Sequence, residues 1–170
     1  IMRTRHLVVR LALAISAAIL LVGGPVIKSR AGPNGFTLSH LKILEDKIKS
    51  GGPPKDGIPA LTNPKRIPAN EAGYLNEDDI VVGVEFGGEA VAYPLRILVS
   101  HEIANDRVGD RPIVVTYCPL CGSSLVFSRN VNGEVREFGV SGLLYKSNVL
   151  MYDRQRNDQE ESLWSQVMMK

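Results

Sequence analysis

Cysteine and histidine are scarce in this 170-residue chain, which has two of the first and three of the second. Two thiolates do not fill the four-ligand shell of a structural metal site, so any bound metal must recruit histidine, carboxylate, methionine or a second chain. The few histidines, together with the absence of a Gly-x-Ser-x-Gly segment, leave little material for a Ser-His-Asp hydrolase. No glycine-rich phosphate loop of either common spacing occurs, which removes the usual nucleotide-binding signatures. No fixed repeat and no sustained heptad are found, so solenoid and coiled-coil classes are excluded. Charge of one sign is also lacking. The net charge is +2, and residues 1–30 alone hold five basic side chains and no acid, which leaves 15 basic against 18 acidic in the remainder. A nucleic-acid binder needs a basic face on its folded part, and that support is missing.

What is present suits one packed domain: hydrophobic residues make up 44% and charged residues 22%. The N-terminus has its own pattern. A basic stretch, MRTRHLVVR (2–10), precedes 17 uncharged residues, LALAISAAILLVGGPVI (11–27). This is the order of a secretory signal, and the run is just long enough to span hydrocarbon as a helix. Residues 1–30 are therefore expected to be a signal peptide or a membrane anchor. The basic flank before the apolar run favours a body that faces outward. The expected location is periplasmic or extracellular, or on the outer face of the cytoplasmic membrane. The membrane is the one partner indicated, and nucleic acid is not expected.

Residues 31–69 read as an amphipathic helix over 36–50 followed by a rigid lead-in, with five prolines between 51 and 68. Residues 70–170 read as the main domain. A helical turn is expected within 70–78 and a hairpin over 80–93 around Gly87-Gly88. Pro94 is expected to open a helix over 95–105, and a β-branched strand follows at 112–117. Strands 123–129 and 134–140 are joined at Asn132-Gly133, a strong two-residue turn signal. A strand pair or bent strand is expected over 143–152. The fold class is α+β, mostly antiparallel hairpins with two or three short helices.

The sharpest local chemistry is Cys118-Pro119-Leu120-Cys121-Gly122. Three readings of this segment stand open. As a metal knuckle, Cys118 and Cys121 hold copper or zinc with His101 as a third ligand, Glu102 orients that imidazole, and Pro119 and Gly122 shape the loop. As a redox pair, the two thiols cycle between dithiol and disulfide, although the β-rich residues after Gly122 do not suit a thioredoxin-like helix. As a staple, they form a short structural disulfide in an oxidising compartment. A serine or histidine mechanism elsewhere is weakly supported. Ser123 and Ser141 offer only hydroxyls, and Met151 reads as core rather than as a soft ligand.

The segments YPLRILVSHEIAND (93–106), PIVVTYCPLCGSSLVF (112–127), FGVSGLLYKSNVLMYDR (138–154) and ESLWSQ (161–166) together resemble the DUF3179 family, a domain of unknown function. KDGIPAL (55–61) followed by Asn63-Pro64 fits as well. The resemblance implies an exported or membrane-anchored domain that brings its His-Glu, CPxCG and SGLLY motifs together. It points to His101, Glu102, Cys118, Cys121 and Gly122 as the site, with Tyr145, Asp153 and Trp164 as supports. The tail departs from the family pattern, because QRNDQE (155–160) lengthens the turn before ESLWSQ and the chain stops at VMMK. A C-terminal truncation is therefore expected.

Overall fold

The computed structural model describes residues 32–38 and 41–168. The fold is mostly antiparallel β. Its strands are β1 (Ile48–Ser50), β2 (Leu61–Thr62), β3 (Val81–Phe86), β4 (Glu89–Pro94), β5 (Ile103–Val108), β6 (Arg111–Cys118), β7 (Ser123–Ser128), β8 (Asn130–Val131), β9 (Glu134–Val135), β10 (Phe138–Tyr145), β11 (Asn148–Asp153) and β12 (Leu163–Ser165), with α1 at Leu95–Leu98. One four-stranded sheet runs β1-β10-β11-β12 and a second runs β2-β5-β6-β7. Among the described residues, only the β2–β5 pair is parallel.

Alternation sorts the side chains of both sheets. Ile103, Val114, Phe138, Val140 and Met151 pack together between the sheets, with Trp164 and Phe127 against them. On the other face of the β5–β6–β7 sheet, Ala104, Val108, Ile113 and Val115 meet Tyr93 and the β3–β4 hairpin. On the other face of the β10–β11 sheet, Leu143, Tyr145, Leu150 and Tyr152 are covered by Phe36 and Ile48. Asn105 ties the two sheets. Its amide nitrogen donates to Phe138 O at 2.8 Å, and its oxygen accepts from Phe138 N at 2.8 Å. The proline-rich lead-in also joins both, since Asp56 N donates to Val140 O at 2.9 Å and Leu61 pairs with Ala104.

Several expectations hold. The hairpin over 80–93 forms with Gly87 and Gly88 both at positive φ. Asn132 and Gly133 also take positive φ, the backbone of a type I′ turn, between β8 and β9. Other expectations are corrected. No α-helix occurs in the described part of 36–50. A 3-10 turn at Glu45–Lys47 leads into β1, because Ile48 pairs with Tyr145 and burial against the sheet outweighs local helical spacing. The helix expected over 95–105 stops at Leu98, and Ile103 onward is a strand whose Asn105 and Asp106 are buried and hydrogen-bonded. The strand expected over 134–140 is two strands, β9 and β10. Residues 70–78 contribute only the end of a 3-10 turn, Ala69–Glu71. The apolar run at 11–27 and His40 lie outside the described residues.

Candidate functional site

The cysteine turn is the link between β6 and β7. Cys118 ends β6 directly opposite Ser123, the first residue of β7. Cys121 N donates to Cys118 O at 3.3 Å, and Gly122 takes φ +59° to bring the chain back. Period-two alternation places Cys118 on the same side as Thr116 and Val114, facing the other sheet. Cys118 is 1% exposed, whereas Cys121 lies at the surface, and both are free thiols.

Polar side chains from both sheets converge on Cys121. Asn148, at the start of β11, directs its Nδ2 at Cys121 Sγ at 3.1 Å and at Ser123 Oγ at 3.3 Å. The same nitrogen donates to Gln166 Oε1 at 2.7 Å. Gln166, just after β12, is fully buried, and its Nε2 donates to Thr116 Oγ1 at 2.9 Å and to Ser123 O at 3.2 Å. Thr116 Oγ1 in turn donates to Leu125 O at 3.0 Å. Both amides are thereby held in one orientation by groups that cannot themselves move freely.

Ser123 has one hydroxyl proton and two neighbours that accept it: Cys121 Sγ at 3.1 Å and Gln166 Oε1 at 3.0 Å. While Cys121 is a thiol, its S–H donates to Ser123 Oγ and the hydroxyl donates to Gln166. Once Cys121 is a thiolate, it can only accept, so the hydroxyl turns to the sulfur. The arrangement thus has a hydrogen-bonded form for each protonation state. Burial pushes the Cys121 thiol up, but hydrogen bonds from Cys118, Ser123 and Asn148 outweigh it and hold the pKa below the ordinary thiol value. Cys118 moves the other way. Burial and its hydrogen bond to Cys121 push its thiol up, against backbone N–H contacts from Cys121 and Val149. No helix starts at either cysteine, so side-chain hydrogen bonds, and not a helix dipole, separate the two sulfurs.

The other predicted site residues have these places. His101 lies in the turn between α1 and β5, and its Nδ1 donates to Pro59 O at 2.7 Å. Glu102 follows with φ +56° and sits with Pro119 on the wall of a cavity beside the cysteine turn. Tyr145 is buried in the cluster around Phe36 and pairs across the β10–β11 turn with Asn148, so it seats the strand end that carries the amide. Asp153 is buried and accepts from Ser162 N and Ser162 Oγ, both at 2.7 Å, which closes the loop before β12. Among the described residues, no three His, Cys, Asp or Glu side chains come close enough together to hold a metal ion. Among the described residues, the side chains that contact Cys121 Sγ are the amide of Asn148 and the hydroxyl of Ser123, which suit a thiolate. Asn148 and Gln166 were not singled out in the sequence. The available signal was a polar residue at the edge of an apolar strand run, in NVLMY and in LWSQ.

No curated protein and no solved structure matches the chain. One family model does match, over residues 55–170, a span that takes in most of the proline-rich lead-in, the cysteine turn and the Asn148–Gln166 pair. The chain belongs to the DUF3179 family, described as proteins of unknown function.

Proposed function

We propose that the protein is a thiol–disulfide exchange protein, with Cys121 as the attacking sulfur and Cys118 as the resolving one. The reading includes an α+β domain delivered outside the cytoplasm by residues 1–30, as a secreted or membrane-anchored form. The observation that carries it is the asymmetry of the pair: an exposed sulfur inside a cradle of hydrogen-bond donors, three residues from a buried sulfur whose thiol form is favoured. In the first step the Cys121 thiolate attacks one sulfur of a substrate disulfide, R–S–S–R′, forming Cys121–S–S–R and releasing R′–S⁻. Cys118 then gives up its proton to solvent, attacks Cys121 Sγ and releases R–S⁻. Two electrons pass from the two protein thiols to the substrate disulfide, and the two released thiolates take up the two protons lost. Asn148 and Ser123 steady negative charge on Cys121 before it attacks.

The test is mass spectrometry of the reduced chain after mixing with oxidised glutathione. The wild-type chain is expected to end as an internal Cys118–Cys121 disulfide. Cys118→Ser is expected to accumulate the glutathione adduct on Cys121, and Cys121→Ser to react at least about a hundredfold more slowly, since attack then falls to a buried thiol of raised pKa. Equal adduct formation in the two variants, or no reaction in any, overturns the assignment. Near-stoichiometric copper or zinc on the reduced wild-type chain, lost in both variants, supports the metal reading in its place.

A further inference from the structure

Beside the cysteine turn lies a cavity of about 260 Å³. Pro119 and Leu120 form one wall, Val99 and Glu102 another, and Leu143 and Val149 a third. Glu102 is the only ionisable residue in this lining. Among the described residues its carboxylate has no hydrogen bond and no ion pair, and burial pushes its pKa up. Its backbone is in the left-handed region, a conformation costing about 1 kcal/mol or more for a residue with a Cβ. Glycine at this position would relieve both costs. Glu102 is only partly buried, so its carboxylate stays open to water and to a group that enters the cavity.

The size of the space limits what that is. Sites for whole small molecules run to roughly 300–1,000 Å³, and this cavity stands near the bottom of that range. It suits one side chain of a larger partner. The surroundings of Cys121 agree with a polypeptide lying across the turn. Leu120, between the two cysteines, is 71% exposed, and Val167 and Met168 are 58% and 41% exposed. Val167 N donates to Asn148 Oδ1 at 3.3 Å, so this apolar pair is fixed to the same amide that contacts the sulfur.

We propose that this cavity is the recognition subsite for the substrate of the exchange reaction, a polypeptide disulfide that places an apolar side chain in the cavity and a neighbouring basic group on Glu102. This rests on the thiol-exchange reading above. It adds the substrate class: cysteines flanked by an apolar and a basic residue, in preference to polar or acidic surroundings. A cation at Glu102 pairs with a carboxylate that no described side chain neutralises, and the same carboxylate disfavours an acidic group.

The experiment measures exchange rates of the reduced chain with three disulfides: a short peptide with leucine and arginine flanking cysteine, its serine–glutamate counterpart, and oxidised glutathione. Each rate is divided by the rate of N-acetylcysteine with the same disulfide, which removes intrinsic reactivity. The leucine–arginine peptide is expected to react about tenfold faster than the serine–glutamate peptide, the scale of burying one apolar side chain. Glu102→Gln is expected to lower that ratio by about threefold or more, the scale of one charge-assisted contact near a surface. Glu102→Gly, which relieves the backbone, is expected to lower the ratio equally while matching or exceeding the stability of the wild-type chain. Equal normalised rates for the two peptides, with glutathione still reacting, overturn the subsite and leave the exchange chemistry standing. An unchanged ratio in both Glu102 variants also overturns it. Failure to react with all three disulfides overturns the exchange reading and the subsite with it.

Discussion

Two buried polar clusters sit at opposite ends of the β5–β6–β7 sheet, and they differ in where their hydrogen bonds finish. At one end Asp106 accepts from Tyr93 Oη at 2.8 Å and Arg107 N at 2.8 Å, and pairs with Arg66 at 2.9 Å. Close by, Arg129 gives its guanidinium protons to Ile113 O, Arg136 O and Asp106 O, at 3.0, 3.0 and 3.1 Å. Those bonds finish on backbone carbonyls and on a carboxylate–guanidinium pair, so the cluster joins the β3–β4 hairpin and the β8–β9 loop to the sheet. At the other end the amides of Gln166 and Asn148 are just as fully engaged, but their chain finishes on Cys121 Sγ at the surface. Complete satisfaction of buried polar groups is ordinary. A satisfied network that stops at an exposed, acidified thiol is what separates a candidate site from a structural joint.

The contrast can be broken most forcefully at the closed cluster. Asp106→Ala is expected to cost about 3 kcal/mol of stability, the lower range for removing one partner of a buried ion pair, because Arg66 is partly exposed. Urea denaturation measures it, and iodoacetamide labelling of Cys121 is expected to keep its rate. A large change in labelling would mean that the two ends are coupled. Gln166→Leu comes next. It strips partners from Asn148, Ser123 and Thr116 and is expected to cost about 1–3 kcal/mol while slowing labelling. Loss of stability without slower labelling would reduce this cluster to a second joint. Asn148→Ala is smaller in stability and more specific in chemistry. Losing one hydrogen bond to the sulfur, worth about 1 kcal/mol, is expected to slow labelling near neutral pH about fivefold and to move the pH profile of labelling upward. An unmoved profile would remove Asn148 from the site.

The smallest effect is in stability against pH. The folded chain holds the Cys121 pKa below its unfolded value, so the unfolded chain binds that proton more tightly. The stability Cys121 contributes is therefore present above the unfolded thiol value and is lost as pH falls through the lowered folded value. In the reduced protein, the stability of wild type relative to Cys121→Ser is expected to rise with pH across that window. A difference that falls with pH would reverse the assignment of the exposed sulfur.

Local signals carried the turns and failed at two helices. Gly87-Gly88, Asn132-Gly133 and Gly122 each needed a positive φ that the sequence advertised, and each turn is present. In RILVSHEIAND the apolar spacing suited a helix, and nothing local announced that Asn105 would bond to the distant Phe138 or Asp106 to Tyr93. Those partners are 33 and 13 residues away. The same holds over 36–50, where Ile48 is claimed by Tyr145. The cysteine turn was legible because its chemistry is contiguous in sequence. Its supporting amides were not, since Asn148 and Gln166 lie 27 and 43 residues from the cysteine and serine they contact. The helical spacing around His101 also gives no hint of its partner, since α1 ends at Leu98 and the imidazole bonds to Pro59 O, 42 residues away.

The amide of Asn105 has one further implication. It imitates a strand residue, offering Phe138 both a donor and an acceptor with ladder-like spacing. A shift of one sheet past the other would break both bonds at once, so the sandwich has a fixed registration. Cys121 follows one sheet and Asn148 belongs to the other, so the spacing of sulfur and amide is governed from across the molecule by a residue that touches neither.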